Sequence, residues 1–298
     1  MNWIVRQGIG AALFAAAFVM AVVAWPIGRV SRSNTQTGDV ERGAYLARAS
    51  GCIACHTVAG NGPLAGGVKI ETPFGALFSP NLTIDPEQGL GRWELADFAR
   101  AVRQGISPEG EAYFPAFPYP FYQNFTDQDI ADLWAAFQTV PPDDTVSKSP
   151  GMAFPFDQRW GLKLWRAAFL TAPQTVPVAD KSDAWNRGRL LVEGASHCAA
   201  CHTARNLLGG RLTDSGHLLG NTALPNGDKA PSLATAALRQ QGWDVANLAY
   251  ALETGILPDG DSFGGSMGEV VQYGTSFLSG EDLEAIATYI MDSTKEGG

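Results

Sequence analysis

Apolar residues recur at helical spacing in two similar sets of three segments. The first segments are "VERGAYLARAS" and "AWNRGRLLVEGAS", the second "WELADFARAVRQG" and "WDVANLAYALETG", and the third "TDQDIADLWAAFQTV" and "SGEDLEAIATYIMDS". The second pair ends at glycine, which commonly terminates a helix. No segment shows the regular alternation that would indicate a strand convincingly. The pattern therefore predicts an all-α fold.

The third pair of segments carries recognisable capping residues. Thr126 and Ser279 are each followed three positions later by an aspartate, Asp129 and Asp282, as in a capping box. Apolar residues at helical spacing follow in both segments, and we expect them to form the core. They are Leu133, Trp134, Phe137, Leu283, Ile286 and Tyr289.

The two sets belong to an internal repeat. "GRWELADFARAVRQGISPEGEAYFPAF" aligns without a gap with "QGWDVANLAYALETGILPDGDSFGGSM" at an offset of 150 residues. Such self-similarity indicates repeated structural units. We therefore expect two tandem modules, at residues 39–146 and 180–298, joined by a connector at residues 147–179.

The first 38 residues have a different pattern. "IGAALFAAAFVMAVVAWPI", residues 9–27, is a run of 19 residues without a charge, close to the roughly 20 that span a bilayer as a helix. A cleaved signal peptide is the alternative, although its apolar core is usually only about 7–15 residues long. The pattern predicts a retained transmembrane helix followed by a polar tether, within residues 1–38.

All four cysteines occur in two C-x-x-C-H motifs. Cys52 and Cys55 precede His56, and Cys198 and Cys201 precede His202. This motif attaches c-type haem: the two thiols add to the haem vinyl groups, and the imidazole lies beneath the iron. A four-cysteine zinc site and a thioredoxin-like dithiol are the alternatives. We predict two covalently bound c-type haems, with His56 and His202 as proximal ligands of the iron.

The charge of the chain and the place where haem is attached limit its function and its cellular compartment. The chain has 21 basic and 30 acidic residues, a net charge of −9, and no basic face that would indicate a nucleic-acid binder. Covalent haem attachment normally takes place outside the cytoplasmic membrane. We therefore expect the haem modules to face the periplasm from the cytoplasmic (inner) membrane.

The distal ligands are expected to differ between the modules. Met267, in the glycine-rich "GGSMG", is the predicted distal ligand of the second iron, and a thioether at this position raises the potential. The repeat alignment places Phe117 opposite Met267, and a phenyl ring does not ligate iron. For the first iron the candidates are Met152 in the connector, or His217 reaching across from the second module. An open or water-bound iron is the remaining possibility.

Two further features remain ambiguous from the sequence. His197 abuts Cys198, and we interpret it as a packing or hydrogen-bonding residue. The connector segment "FPFDQRWGLKLWRAAFL" combines aromatic and basic residues. It suits either an inter-module helix with buried aromatics or a surface that binds a haem propionate, a membrane interface or a protein partner.

Several segments together resemble a known family. "RGAYLARASGCIACHT", "GGVKIETPFGALFSPNLTIDPEQGLGRWELADFARAVRQG", "YFPAFPYP", "FPFDQRWGLKLWR" and "VEGASHCAACHTARN" are similar to the cytochrome c subunits of bacterial membrane-bound dehydrogenases, of the alcohol and gluconate type. The resemblance covers residues 40–295. It implies two cytochrome c domains that pass electrons from a catalytic subunit to quinone or to further cytochromes. Those subunits usually carry three haems, and their first module commonly reads "PAMPY" where this chain has Phe117.

The leading functional hypothesis is a membrane-anchored periplasmic dihaem cytochrome c. It would relay single electrons from a dehydrogenase or other donor to a cytochrome, quinone or terminal oxidase. The chain shows no convincing acid–base or nucleophile constellation. The alternative is a haem enzyme that oxidises a small anion or reduces peroxide at the first iron. A sensor or assembly module held together by haem is a weaker third possibility.

Overall fold

The chain forms two helical modules that share one apolar core. The computed structural model describes residues 13–14, 16–28, 34–225 and 227–293. Within the two modules, at residues 39–146 and 180–298, the described helices lie in residues 40–137 and 183–293.

The predicted helical segments are helical in both modules. In the first module, α1 to α5 are Val40–Ala49, Cys52–His56, Leu95–Gln104, Tyr119–Tyr122 and Asp127–Phe137. The connector contains α6, Gly161–Phe169. In the second module, α7 to α12 are Asp183–Leu190, Thr213–Gly216, Thr235–Gln240, Val245–Thr254, Gly265–Tyr273 and Gly280–Ser293. A π-helical turn covers Leu191–Ala195, and 3-10 turns cover Cys198–Ala200 and Thr275–Phe277.

The predicted helix ends are confirmed. α3 and α10 end at Gly105 and Gly255, which have φ values of 60° and 80° and adopt the left-handed conformation that glycine tolerates. At the start of α5, the side chains of Thr126 and Asp129 form the expected capping box. These ends depend on local backbone chemistry, which explains why the sequence predicted them.

The first and last helices of each module cross at a glycine. A Cβ atom built at Gly43 of α1 would lie 1.8 Å from the carbonyl oxygen of Asp132 in α5. The same atom at Gly188 of α7 would lie 1.9 Å from the carbonyl oxygen of Ala285 in α12. In both modules, only glycine allows the two backbones to approach this closely.

An arginine beside each crossing glycine pairs with a carboxylate on the last helix. Arg42 Nε lies 2.8 Å from Asp132 Oδ2, and Arg187 Nε lies 2.7 Å from Asp282 Oδ1. The carboxylate side chains are only 5% and 10% exposed. Each pair therefore holds a nearly buried carboxylate against the crossing point of the two helices.

The modules are joined by direct contacts as well as by the connector. Tyr45 Oη, in the first module, donates to Asp282 Oδ2 of the second at 2.7 Å and accepts from the backbone N–H of Ser279 at 3.1 Å. The Arg48 guanidinium lies 4.0 Å from the centre of the Phe277 ring. The expected core residues of both modules belong to the same cluster, and all except the partly buried Trp134 are buried: Leu133, Trp134, Phe137, Leu283, Ile286 and Tyr289.

A small sheet corrects the all-α prediction. Strands β1, β2 and β3, at Lys69–Thr72, Gly75–Phe78 and Gly151–Met152, form an antiparallel sheet in the order β1-β2-β3. The strands have four, four and two residues, too short to produce a readable alternation of apolar and polar positions. The third strand comes from the connector, so its pairing depends on a contact distant in sequence.

The prediction of an N-terminal transmembrane helix is wrong. Residues 13–14 and 16–24 are helical, and the helix ends before Trp25. In the part of the chain that the structure describes, no helix has both the length and the apolar character needed to cross a membrane. Residues 9–12 and 15 of the predicted segment lie outside the described residues.

The connector contacts both modules and leaves part of its aromatic surface exposed. Arg166 of α6 donates to the backbone carbonyl of Gln104 at 2.6 Å, and Trp165 Nε1 donates to that of Leu208 at 2.9 Å. Phe154 and Phe156 are 80% and 40% exposed. The inter-module interpretation therefore fits α6, but these two phenylalanines are not buried between the modules.

Candidate haem sites

The two C-x-x-C-H motifs form compact turns with unpaired thiols. The first is the helix α2, and in the second the backbone N–H of His202 donates to the Cys198 carbonyl at 3.0 Å. None of the four cysteines forms a disulfide. Across the described residues, no three or more histidine, cysteine or acidic side chains are grouped as ligands of one metal ion. The cysteines therefore do not form the four-thiolate zinc site that their spacing also allows.

The thiols lack the activation that a redox dithiol requires. Burial raises the pKa of Cys52 and that of Cys198 to about 12. A thioredoxin-like pair needs a lowered pKa, because the thiolate is the nucleophile. Cys52 and Cys198 pack against the apolar core, four residues before an oriented imidazole, and this arrangement suits attachment to an apolar macrocycle.

Each motif histidine is oriented by a backbone carbonyl. His56 Nδ1 lies 2.8 Å from the oxygen of Pro80, and His202 Nδ1 lies 2.8 Å from the oxygen of Pro231. Burial lowers the pKa of His56 to about 4 and lowers that of His202 as well, so both imidazoles are neutral. A neutral ring that donates through Nδ1 presents a bare Nε2, the atom that ligates iron.

The loop after each motif repeats the same hydrogen bonds. Gly66 N donates to His56 O at 2.8 Å, and Gly220 N donates to His202 O at 2.9 Å. Within these loops, the backbone N–H of Leu64 donates to Thr57 Oγ1, as Leu218 does to Thr203 in the second module, both at 3.0 Å.

Both leucines are buried and have left-handed backbones, with φ values of 61° for Leu64 and 58° for Leu218. Such a conformation is costly for leucine, and it recurs at the same place in both loops. The sequence analysis missed these residues, although the shared order of threonine followed by leucine was available as a signal.

The loops that lead to Phe117 and Met267 also match. Tyr113 N donates to Gly105 O, and Phe263 N donates to Gly255 O, both at 2.8 Å. The bridges Ile106–Ala112 and Ile256–Ser262 follow the same offset of 150 residues as the sequence alignment. Phe117 and Met267 each lie four residues beyond the last matching hydrogen bond, Phe117 in a turn and Met267 in a helix.

The candidate distal ligands lie in different surroundings. Met267 lies in the first turn of α11 and packs against the shared core, as Phe117 does. Met152 lies in β3 opposite Gly75 and packs in a separate cluster formed by Leu77, Ala112, Phe114 and Leu162. The assignment of either methionine to an iron stays a prediction.

The remaining histidines have other partners. His217 Nε2 lies 2.8 Å from Glu193 Oε1. The His197 ring stacks on Tyr122 with centroids 5.9 Å apart and contacts the edge of Phe121 at the same distance. The packing interpretation of His197 therefore agrees with its surroundings.

His197 also brings the two haem motifs into contact. It precedes Cys198, has the left-handed φ of 39°, and its Cε1 atom lies 3.8 Å from a Cβ position built at Gly51, which precedes Cys52. Burial and then the nearby Cys201 and Glu269 raise the pKa of Cys55. The two attachment turns therefore adjoin one another across the module boundary.

These residues fit one covalent haem in each module. The unpaired thiols and the oriented imidazole supply the attachment and proximal positions. Cys52, Cys198, Phe117 and Met267 all lie at the partly exposed edge of the shared apolar core, where a porphyrin would extend it. When bound, each haem supplies an iron that accepts and releases one electron.

Comparison with known proteins agrees with this geometry. A profile of the cytochrome c family matches residues 40–137. A protein named diheme cytochrome c-type from Cereibacter sphaeroides is 40% identical over 85% of this chain and 86% of its own length. The cytochrome c subunit of the quinone-dependent alcohol dehydrogenase of Gluconobacter oxydans is 36% identical over 94% of this chain and 60% of its own length.

Other relatives are longer than this chain. A nicotinate dehydrogenase subunit from Pseudomonas putida is 40% identical over 87% of this chain, which spans only 21% of that protein. The resemblance to cytochrome subunits of alcohol and gluconate dehydrogenases is thus confirmed. Its 40% identity over most of the protein named diheme cytochrome c-type shows that the chain belongs to the cytochrome c family.

Proposed function

We propose that this chain is a periplasmic electron-transfer protein that carries two c-type haems. It passes single electrons from a dehydrogenase to a respiratory acceptor, which is a cytochrome, a quinone or a terminal oxidase. The observation that carries this proposal is that the two attachment turns adjoin one another at His197 and Gly51, and that the loops after them repeat the same hydrogen bonds. Electron tunnelling weakens steeply with distance, so adjoining attachment turns favour transfer between the two sites.

The residues have separate roles in this proposal. Cys52 and Cys55 attach the first haem, and Cys198 and Cys201 attach the second. His56 and His202 hold the proximal position, each with its tautomer fixed by the carbonyl of Pro80 or Pro231. Met267 provides a distal thioether for the second iron, which favours the reduced state.

The names of the relatives support the choice of donor. Several of them are named as cytochrome subunits of alcohol, gluconate and fructose dehydrogenases. This chain spans about 60% or less of several of them, so the identity of its own donor is part of the proposal. A periplasmic setting follows from the chemistry of haem attachment and from the kind of relatives found.

The test begins with a holoprotein matured in a bacterial periplasm. Mass spectrometry should show two attached haems, and replacing either cysteine pair by alanine should remove one. The oxidised protein is then mixed with an alcohol, gluconate or fructose dehydrogenase and its substrate, and haem absorbance is followed by stopped flow. We expect reduction of both haems by at least one donor. A protein without attached haem, or haems that none of these dehydrogenases reduces, would refute the proposal.

A further inference from the structure

We propose that the first haem has no distal protein ligand and that its distal side binds a small uncharged diatomic molecule of the carbon monoxide or nitric oxide class. This inference rests on the proposed function in one respect, namely that Cys52 and Cys55 carry a haem. The bound ligand would lie on the side bounded by Phe117, which occupies the position equivalent to Met267.

The equivalence of these positions is structural as well as sequential. The backbones from Gly105 to Tyr113 and from Gly255 to Phe263 share their hydrogen bonds residue by residue. Beyond these shared bonds Phe117 lies in a turn and Met267 in the first turn of α11, and both side chains pack against the shared core. One loop delivers a thioether and the other a phenyl ring, which has no lone pair to donate to iron.

The histidines of the chain do not replace the missing ligand. Of the four histidines, His56 and His202 belong to the attachment motifs. His197 Nδ1 is 2.5 Å from the carbonyl of Ser196, and its ring lies between Tyr122 and Phe121. His217 belongs to the second module, where its Nε2 is bonded to Glu193.

The methionines within the described residues are also placed elsewhere. Met20 is 66% exposed in the N-terminal helix, and Met291 is buried in α12 of the second module. Met152 is held in β3 by its pairing with Gly75 and by the small cluster around Phe114. Phe117 and Cys52 pack instead against the shared core.

The phenols around Phe117 are poor candidates for ligation. The ring centroid of Phe117 lies 6.0 Å from that of Tyr113, 6.3 Å from Tyr119 and 5.8 Å from Tyr122. Tyrosine ligates iron as the phenolate, and burial raises the pKa of all three phenols, that of Tyr113 to about 12, which disfavours this form. The hydroxyl of Tyr122 also donates to the carbonyl of Ser50 at 2.5 Å.

These surroundings select the class of ligand. The three rings that contact Phe117 are uncharged, although the Arg166 guanidinium lies 5.1 Å from the centre of the Tyr119 ring, where it donates to the backbone carbonyl of Gln104. An uncharged diatomic molecule needs no counter-ion in these surroundings and leaves water without a large desolvation cost. Carbon monoxide is the probe of choice, because it binds reduced haem iron only where the sixth position is open or weakly held.

The experiment titrates the reduced holoprotein with carbon monoxide and follows the Soret band. We expect one molecule bound per two haems. Phe117→Met should supply the missing thioether, abolish this binding and raise the midpoint potential of the first haem. Phe117→Leu is the matched control and should still bind one molecule, because leucine also lacks a ligand atom. Met267→Leu should open the second iron and double the binding.

Three outcomes overturn the inference. One is a wild-type protein with two attached haems that binds no carbon monoxide; another is binding that appears only in Met267→Leu. The third is binding that appears in Met152→Leu but not in the wild type, which would identify Met152 as the ligand. Haem content, measured by mass, separates these results from a failure of the proposed function, in which the haems themselves are missing.

Discussion

Replacing Gly188 by alanine tests the close crossing of α7 and α12. The added Cβ would lie 1.9 Å from the carbonyl oxygen of Ala285, 2.6 Å from the carbonyl carbon and 2.8 Å from Cβ of Tyr289. A carbon–oxygen contact is comfortable at about 3.3 Å, so the helices must move apart by about 1.4 Å here. The two nearest atoms belong to the backbone of α12, and no side-chain rotation relieves them.

The size of the effect follows from this geometry. Overpacking a core costs about 1–3 kcal/mol, and a clash with backbone places the cost near the upper end. Separating the helices also loosens Leu283 and Ile286, which are 2% and 1% exposed. We expect the free energy of unfolding to fall by about 3 kcal/mol. For a chain of this size, that corresponds to a fall of roughly 6–12 °C in the melting temperature.

Thermal unfolding of the holoprotein, followed by circular dichroism, measures the change. Gly280→Ala is the matched control on the same helix, because a Cβ at Gly280 meets nothing within 4 Å, and its stability should stay within about 0.5 kcal/mol of the wild type. Gly43→Ala should reproduce the loss in the first module. If Gly188→Ala has the same melting temperature as the Gly280→Ala control, the argument from close backbone contact is refuted.

Three further predictions concern the boundary between the modules. Tyr45→Phe removes the hydrogen bond to Asp282 and should lower the free energy of unfolding, measured with denaturant, by about 1.5–3 kcal/mol. If the two groups act together, the double variant with Asp282→Asn should lose less stability than the sum of the two single losses. Desolvation raises the pKa of Asp282, but the hydrogen bonds from Arg187 and Tyr45 outweigh it, so this pKa lies below its ordinary value. The ionised carboxylate therefore stabilises the folded state above about pH 4, and this contribution is lost as the pH falls through the lowered pKa. Asp282→Asn should flatten this part of the plot of unfolding free energy against pH. His197→Gly relieves a left-handed backbone and deletes an aromatic contact, each worth about 1 kcal/mol with opposite sign, so the melting temperature should hardly change. Hydrogen exchange should accelerate around Tyr122, and electron transfer between the haems should slow. Unchanged hydrogen exchange around Tyr122 would contradict the role of His197.

The sequence by itself determined the features that depend on near neighbours. The attachment motifs were readable because two thiols and an imidazole must lie within five consecutive residues. Helix ends at Gly105, Gly255 and Thr126 were readable because their chemistry lies within one helical turn. The gapless repeat also predicted the equivalence of Phe117 and Met267, which the matching hydrogen bonds of the two loops support.

Only the tertiary structure decided the features that join distant parts of the chain. The third strand of the sheet pairs Met152 with Gly75, and no local pattern marks two residues of the connector as a strand. The close approach at Gly188 depends on Ala285, almost a hundred residues later in the sequence. His197 looked like a packing residue beside one motif, but its contact with the other motif requires the two modules to dock. Contacts of this kind form between surfaces rather than along the chain, so their physical basis becomes visible only when both surfaces are in place.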